Sequence, residues 1–347
     1  MSCNGLMLTT TGPYDDALER LHRTGPEFDG YLSNHGPMVV EVLARRDQDP
    51  LIDRWTDQYL RRLDELPRGT WLIDPAQWKE ALGEFTRAAD WIELFLREVA
   101  QDPWAEVLER WWPRLLPGIA TGATHGVIRV GHAVNALIEV ESPPRVAELA
   151  HALGYWAARW QPSPLIQPAG SRTPIELVAM MPRVPRQESG IRERLAQLEL
   201  TPGWADEAAT LAGPVTREMI PVGIEGIVDA MVAMYPGYAH GNPTMLVHAA
   251  TAPNAVAMTL PALPKALWHG SFDAAWSASA AVIAAYAPVK PCETVPSPRS
   301  PQDVLDQALS HGGEHVIKFT DAALASHLRT GDGVALTAAA TAVILDA

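Results

Sequence analysis

Apolar side chains at helical spacing run through almost the whole chain and constrain its fold more than any other feature. Between residues 51 and 66, for example, Ile52, Trp55 and Tyr59 recur three and four positions apart, which places them on one helix face. No sustained alternation of apolar and polar residues indicates strands, and no hairpin dipeptide lies between β-branched runs. The sequence therefore predicts an all-α protein. Helices are predicted over residues 14–22, 37–46, 51–66, 88–100, 104–112, 124–138, 145–160, 191–198, 204–211, 224–234, 243–252, 262–286 and 314–329, with a further one opening at Asp74-Pro75.

The length of 347 residues suits one large domain or two of ordinary size. Residues 161–185 are rich in Pro, Ser and Arg, so they are the best candidate for a long loop or a domain boundary. We predict one large helical domain over residues 1–347, with a metal site in its core and any internal boundary in residues 161–185.

Charge and composition exclude several classes of partner. The formal net charge of −14 repels nucleic acid and anionic membranes, so neither is expected as a partner. Two cysteines, Cys3 and Cys292, are too few for a disulfide framework, which indicates a reducing compartment. The N-terminus lacks a basic start followed by an apolar stretch, and no segment reaches the roughly 18 apolar residues of a membrane span. We predict a cytoplasmic protein, with a homodimer as the base-rate expectation for its size.

Several common catalytic motifs are absent. The chain has no dinucleotide fingerprint, no phosphate-binding lysine loop and no nucleophile elbow. One Glu-x-x-His pair occurs, at Glu148 and His151, whereas a helical di-iron centre needs two. These absences point away from nucleotide chemistry, common hydrolases and di-iron chemistry.

The pair His315 and Lys318 is the strongest local candidate for a metal site. Residues three apart lie on one helix face, so both side chains can reach one point. A buried lysine tends to lose its proton, and a neutral amine can react with CO2 to give a carbamate, which is an oxygen ligand. The alternative is that Lys318 extends to solvent along its apolar stem, and spacing alone favours that alternative.

The other histidines are candidate ligands only when they are considered together. A single histidine on an apolar helix face is more often a core residue than a ligand. His125 and His132 are seven residues apart, hence about 10 Å along a helix, so one metal takes at most one of them. Arg129 lies between them and could pair with an acid or with a substrate phenolate or carboxylate. His35 stands at a predicted helix start, and His248 lies in an apolar stretch; imidazoles suit Fe, Zn and Cu.

Four sequence blocks in this order resemble the questin oxidase-like family. They are Ser-Asn-His-Gly-Pro-Met at 33–38, Thr-His-Gly-Val-Ile-Arg-Val-Gly-His-Ala at 124–133, Val-His-Ala-Ala-Thr-Ala-Pro at 247–253 and Glu-His-Val-Ile-Lys-Phe at 314–319. The resemblance implies an all-α enzyme of aromatic polyketide pathways that opens anthraquinone rings with O2. It also implies a mononuclear non-haem iron held by four histidines and a carboxylated lysine. Carried over motif by motif, these ligands are His35, His125, His248, His315 and Lys318.

The same resemblance separates ligands from neighbours. His132 matches a position that varies in fungal members, which agrees with the distance argument against it as a ligand. Fungal members carry a second histidine where this chain has Met38, so the substrate pocket is expected to differ. We assign His132 and Arg129 as candidate catalytic residues beside the metal.

Three functions follow as hypotheses. The first is an oxidoreductase that uses Fe²⁺ and O2 to cleave an anthraquinone-type polyketide ring in secondary-metabolite biosynthesis. The second is an NADPH-dependent Baeyer–Villiger-type monooxygenase on the same substrates, although no motif supports an NADPH site. The third is a non-catalytic polyketide-binding protein.

Twelve tryptophans against five phenylalanines are an unusual balance. They could be large helix-packing residues or the flat walls of a pocket for a polycyclic ligand. For the second interpretation, the candidates are Trp156, Trp268 and Trp276.

Overall fold

Helices form nearly all of the regular structure, which confirms the predicted all-α class. The computed structural model describes residues 12–294 and 299–346, and within these the only strands are β1 (Glu27–Phe28) and β2 (Leu32–Ser33). They pair antiparallel, with Glu27 opposite Ser33. The helices are α1 (Pro13–Leu21), α2 (Gly36–Arg45), α3 (Asp49–Leu60), α4 (Ala88–Gln101), α5 (Trp104–Leu115), α6 (His125–Glu139), α7 (Pro143–Arg159), α8 (Pro174–Met180), α9 (Ile191–Leu195), α10 (Trp204–Ala208), α11 (Ile220–Tyr238), α12 (Pro243–Leu246), α13 (His248–Thr259), α14 (Trp268–Tyr286), α15 (Pro301–His311), α16 (Glu314–Thr330) and α17 (Val334–Leu345).

Two predicted helix boundaries were wrong for identifiable reasons. The helix predicted over residues 51–66 ends at Leu60, before the strongly polar stretch that follows. Asp74-Pro75 opens no α-helix, because the Asp74 carboxylate accepts the main-chain N–H of Ala76 at 2.9 Å in a local turn. Two 3₁₀ turns follow before α4, at Trp78–Glu80 and Phe85–Arg87.

Proline marks the beginnings of several helices. We expected Pro143 and Pro144 to precede the helix over residues 145–160, but α7 begins at Pro143 itself. Proline suits a first helical turn because its φ is already helical and the N–H that it lacks would have no partner inside the helix.

The helices bury two apolar clusters that meet at the functional residues. The larger cluster involves helices from α4 onward, and α6 lies between α7 and α13 within it. The smaller cluster is built mainly on α1, α2 and α3. Ala136 of α6 and Ile317 of α16 belong to the smaller cluster, whereas Val127 of α6 and Phe319 of α16 belong to the larger one. Helices α6 and α16 therefore span the seam between the two clusters.

Residues 161–185 contain the short helix α8 and pack against α14. The N–H of Ile166 donates to Ser277 Oγ at 2.7 Å, and the N–H of Val184 donates to the Ala284 carbonyl at 2.9 Å. The segment is thus attached to the helical body along its length. The single-domain organisation and the boundary in this segment stay predictions.

One helical stretch, Arg217–Gly241, is long and apolar enough to cross a membrane by length and composition alone. Half of its most apolar window is buried within the fold. Charged residues interrupt this stretch, so the sequence contains no continuous apolar segment that predicts it.

Of the two cysteines, Cys292 is exposed and unpaired, and Cys3 lies outside the described residues. The cytoplasmic location stays a prediction.

Most tryptophans act as packing residues. Trp156 and Trp276 are fully buried, and their indole N–H groups donate to the main-chain carbonyls of Gly118 and Ala208. Trp268 donates likewise to the carbonyls of Leu260 and Leu263. These contacts favour the packing interpretation for all three.

Candidate metal centre

Four histidines from four helix starts converge at the seam between the two apolar clusters. His125 and His248 open α6 and α13, His35 directly precedes α2, and His315 lies in the first turn of α16. The Nε2 atom of His125 lies 2.7 Å from Nε2 of His35 and 3.0 Å from Nε2 of His248. The ring of His315 lies 4.6 Å from that of His35 and 5.1 Å from that of His248, centroid to centroid. Nitrogen atoms of His35, His125 and His315 all lie within 4.8 Å of one another, so these three could hold one metal ion.

Backbone carbonyls determine which nitrogen of each ring faces the others. His125 Nδ1 lies 2.6 Å from the Gly122 carbonyl, and His248 Nδ1 lies 3.1 Å from the Met245 carbonyl. Because a carbonyl only accepts, each Nδ1 carries the hydrogen and each Nε2 of a neutral ring presents a lone pair. Two lone pairs 3.0 Å apart repel each other unless a cation lies between them. The arrangement therefore fits a metal ion.

The electrostatics of the cluster keep two of the rings unprotonated. Burial, then the positive charge of Lys318, lowers the pKa of His248 to about 3. Burial, followed by His248 and Lys318, lowers the pKa of His125 well below its usual range. Both rings are consequently neutral at physiological pH, which is the form that binds metal.

A strained turn precedes His125. Gly122, Ala123 and Thr124 have φ values of 54°, 54° and 64°, in the left-handed region. This conformation is unfavourable for Ala and more so for β-branched Thr. The turn brings the Gly122 carbonyl back to the ring of His125, three residues later, and so orients that ring.

His35 is positioned by residues that the sequence analysis missed. Its main-chain N–H donates to the Tyr59 hydroxyl at 2.7 Å. Its Nδ1 is buried, has no hydrogen-bond partner in the described part of the chain, and lies 3.7 Å from Oε1 of Glu314. Arg62 pairs with the same carboxylate at 3.2 Å. A carboxylate beside Nδ1 favours the hydrogen there and leaves Nε2 free. Glu314 directly precedes His315 in the sequence, so its position near the histidines could have been predicted. No neighbouring sequence feature indicated a role for Tyr59.

Lys318 is buried beside the histidines, so the alternative of a solvent-directed side chain was wrong. Its relative exposure is 3%, and its Nζ lies 4.0 Å from the Met38 sulfur. Burial lowers the pKa of its ammonium to about 7, although Glu314 opposes the shift. The His315 side chain is half-buried, yet its Nε2 is buried and has no hydrogen-bond partner among the described residues. Lys318 and His315 thus share one face of α16 with polar atoms free to bind a ligand.

His132 lies in a separate buried polar cluster. Its Nδ1 donates to Glu41 Oε2 at 2.6 Å, and Glu41 also accepts from Asn135 at 2.7 Å and Arg45 at 2.9 Å. His132 is thus engaged in this polar cluster and is not one of the four converging histidines.

Arg129 forms a buried ion pair with the acid of the Glu-x-x-His motif. Its guanidinium donates twice to the Glu148 carboxylate, at 2.6 and 2.8 Å, and His22 shares that carboxylate at 2.8 Å. The sequence allowed two kinds of partner for Arg129, an acidic side chain or a substrate phenolate or carboxylate. In the structure the partner is an acidic side chain, Glu148. The catalytic assignments of His132 and Arg129 stay predictions.

Comparison with known proteins gives one family match. A family model described as Questin oxidase-like matches residues 47–323, most of the chain. The match includes His125, His248, His315 and Lys318, and His35 lies just before it. No curated protein matches the chain.

Proposed function

Because this chain belongs to the questin oxidase-like family, we propose that it uses one iron ion and O2 to cleave a ring of an anthraquinone-type polyketide. The family name describes an oxidase, so the chain is an enzyme, which argues against a non-catalytic binding protein. The iron, the O2 and the substrate class are the parts that we propose.

The observation that carries the proposal is the pair of facing Nε2 lone pairs of His125 and His248, 3.0 Å apart and buried. We propose that His35, His125, His248, His315 and Lys318 hold the ion. Imidazole nitrogens with an oxygen donor suit iron. Bound iron would supply the electron-transfer chemistry that activates O2.

Lys318 becomes an oxygen donor if its neutral amine adds CO2. The amine nitrogen forms a bond to the carbon of CO2 and loses a proton, which gives a carbamate. Burial favours this reaction because it lowers the pKa of the ammonium to about 7 and so populates the nucleophilic amine.

Glu314, Tyr59 and the Gly122 carbonyl hold the histidine rings in place. Outer contacts of this kind fix tautomer and orientation in metal sites. We propose that His132 and Arg129 act in the same indirect way, because both are already engaged by buried carboxylates on neighbouring helices.

The metal content of purified protein tests the proposal. We expect about one iron per chain, lost in His315→Ala and Lys318→Ala. His327→Ala is the matched control, since His327 lies on the same helix and its side chain bonds to the Asp332 carbonyl near the helix end. Retention of iron in both cluster variants would contradict the ligand set.

Oxygen uptake tests the reaction. We expect a reduced anthraquinone to be consumed with O2 when no NADPH is present, because the substrate itself can supply the electrons. Strict dependence on NADPH would instead support the Baeyer–Villiger-type monooxygenase.

A further inference from the structure

A second candidate site is a cleft of about 610 Å³ between residues 66–72 and the helices α4 and α7. Its volume is typical of small-molecule sites. Apolar walls come from the loop and from Ile92 and Leu96 of α4, while His22 and His151 supply polar atoms. None of the four converging histidines lines it.

The rim of the cleft exposes three large apolar side chains on one loop. Leu66, Trp71 and Leu72 are 39%, 74% and 65% exposed. Single exposed apolar residues are ordinary, but three together at the mouth of a cleft indicate a surface that a ligand covers.

Hydrogen bonds hold this loop in place at both ends. The Asp90 carboxylate accepts from the N–H and the hydroxyl of Thr70, both at 2.7 Å. At the other end, the N–H of Gly25 donates to the Asp64 carbonyl at 2.8 Å. The cleft is consequently formed before any ligand arrives.

His151 lies in the wall with free hydrogen-bonding capacity. It is 7% exposed, and its ring makes no hydrogen bond with any described residue. It stacks on His22 at 4.3 Å, and His22 in turn donates to Glu148. Burial, aided by the charges of His22 and Arg129, lowers the pKa of His151 to about 3, so the ring is neutral. A neutral imidazole can donate from one ring nitrogen and accept at the other, so His151 can hydrogen-bond a ligand in the cleft.

The ion pairs at the cleft favour an uncharged ligand. Asp90 and Glu93 line it, and each pairs with an arginine, Arg87 and Arg97 respectively. These carboxylates are therefore already neutralised by partners of opposite charge. Trp71 and the stacked imidazoles offer flat surfaces suited to an aromatic ring system.

We propose that this cleft binds a planar, uncharged aromatic molecule through stacking on Trp71 and a hydrogen bond between His151 and a hydroxyl or carbonyl oxygen of the ligand. This class includes the substrate class proposed above, but the inference rests on the cleft alone and holds whichever metal the histidines bind. The Glu148 carboxylate joins the two sites, because it bonds both His22 at the cleft and Arg129, one turn after His125 on α6.

Calorimetric titration with a neutral monohydroxyanthraquinone tests the site. The full chain is used as purified and without O2, so that no turnover occurs. We expect Trp71→Ala and His151→Leu each to weaken binding about tenfold. Tyr31→Ala removes an equally exposed aromatic side chain outside the cleft and should bind as the native chain does. An anthraquinone sulfonate should bind more weakly than the neutral probe.

Trp71→Ala keeps the test valid even if His151→Leu fails to fold, because Trp71 is exposed. The proposal is overturned if the probe does not bind, or if Trp71→Ala binds with unchanged affinity. If His315→Ala loses binding while Trp71→Ala and His151→Leu keep it, the probe binds at the histidines. That result would also overturn the proposal. The purified protein could contain no iron while Trp71→Ala still weakens binding of the probe. That result would refute the iron-dependent function and support the cleft proposal.

Discussion

The carbonyls of Gly122 and Met245 determine which nitrogens of His125 and His248 face each other. An imidazole has two nitrogens and one hydrogen when neutral, so fixing one nitrogen as donor leaves the other as a lone pair. At this scale, the orientation of the histidine nitrogens comes from main-chain atoms as much as from the histidines themselves.

Lys318 provides the first prediction at this scale. Because its amine is buried and free of strong partners, we expect it to form a carbamate with isotopically labelled bicarbonate, seen as a new carbon resonance by NMR in zinc-loaded protein. Lys318→Met should lack the resonance, while exposed Lys265→Met should keep it. The same resonance in Lys318→Met would show that the carbamate lies elsewhere.

The left-handed turn before α6 gives the second prediction. Ala123→Gly removes about 1–2 kcal/mol of backbone strain but adds about 0.4–1 kcal/mol of unfolded-state entropy. We expect a net gain of about 0.5–1 kcal/mol in the free energy of unfolding, measured by urea denaturation of the metal-free protein. Ala133→Gly, in the regular part of α6, should instead lose about 1 kcal/mol or more. Equal destabilisation of both variants would refute the strain.

At the scale of whole helices, buried polar pairs fix the relative positions of the helices that carry the converging histidines. Glu41 joins α2 to α6 through His132, and burial, which would raise its pKa, is outweighed by His132 and Arg45, so that the pKa falls to about 2. Asp321 of α16 pairs with Arg45 and accepts from Arg46, both at the end of α2. These contacts connect α2, α6 and α16, three of the four helices that begin at or next to the converging histidines.

The crossing of α6 and α13 depends on a missing side chain. A Cβ at Gly131 would lie 2.6 Å from Ala255 Cα and 2.7 Å from its carbonyl oxygen, and the backbone cannot yield as a side chain does. Gly131→Ala should therefore push apart the helices that carry His125 and His248. We expect a loss of about 1–3 kcal/mol in stability and weaker metal binding.

Gly226→Ala is the matched control for this prediction. Gly226 is exposed in α11 with nothing within 4 Å of its Cβ position, so alanine should stabilise the chain by up to about 1 kcal/mol. Similar thermal unfolding and similar metal affinity of the two variants would contradict the proposed close approach.

For the molecule as a whole, buried charges couple stability to pH. Burial would raise the pKa of Glu148, but Arg129 and then His22 outweigh burial and hold it at about 2, below the usual 4.5. A carboxylate with a depressed pKa adds stability above about pH 4.5, and this contribution is lost as the pH falls through about 2.

Glu148→Gln tests this coupling. At neutral pH it leaves Arg129 buried without its carboxylate, so we expect a loss of about 3–5 kcal/mol. The difference from the native chain should narrow between about pH 4.5 and about pH 2 as the native carboxylate becomes protonated. Exposed Glu199→Gln should unfold like the native chain, with thermal unfolding at several pH values as the measurement. A difference that does not change with pH would refute the role of the Glu148 charge.

Local sequence determined the helices and part of the site. The spacing of apolar residues indicates which face of a helix is buried. It predicted the bounds of α4, α6 and α16 to within one residue. Spacing also placed His315 and Lys318 on one face and separated His125 from His132. The resemblance added His35 and His248, which no spacing linked to the others.

Only the tertiary structure decided how these residues meet. Burial of Lys318, the carbonyl partners of the histidines, the ion pair of Arg129 and the cleft at Trp71 all depend on which helices pack together. Helical periodicity is a property of neighbouring residues, whereas burial and pairing join residues such as His35 and His125, 90 positions apart. The sequence indicates which residues could form a metal site. The packing of α6, α13 and α16 brings the side chains of these residues close together.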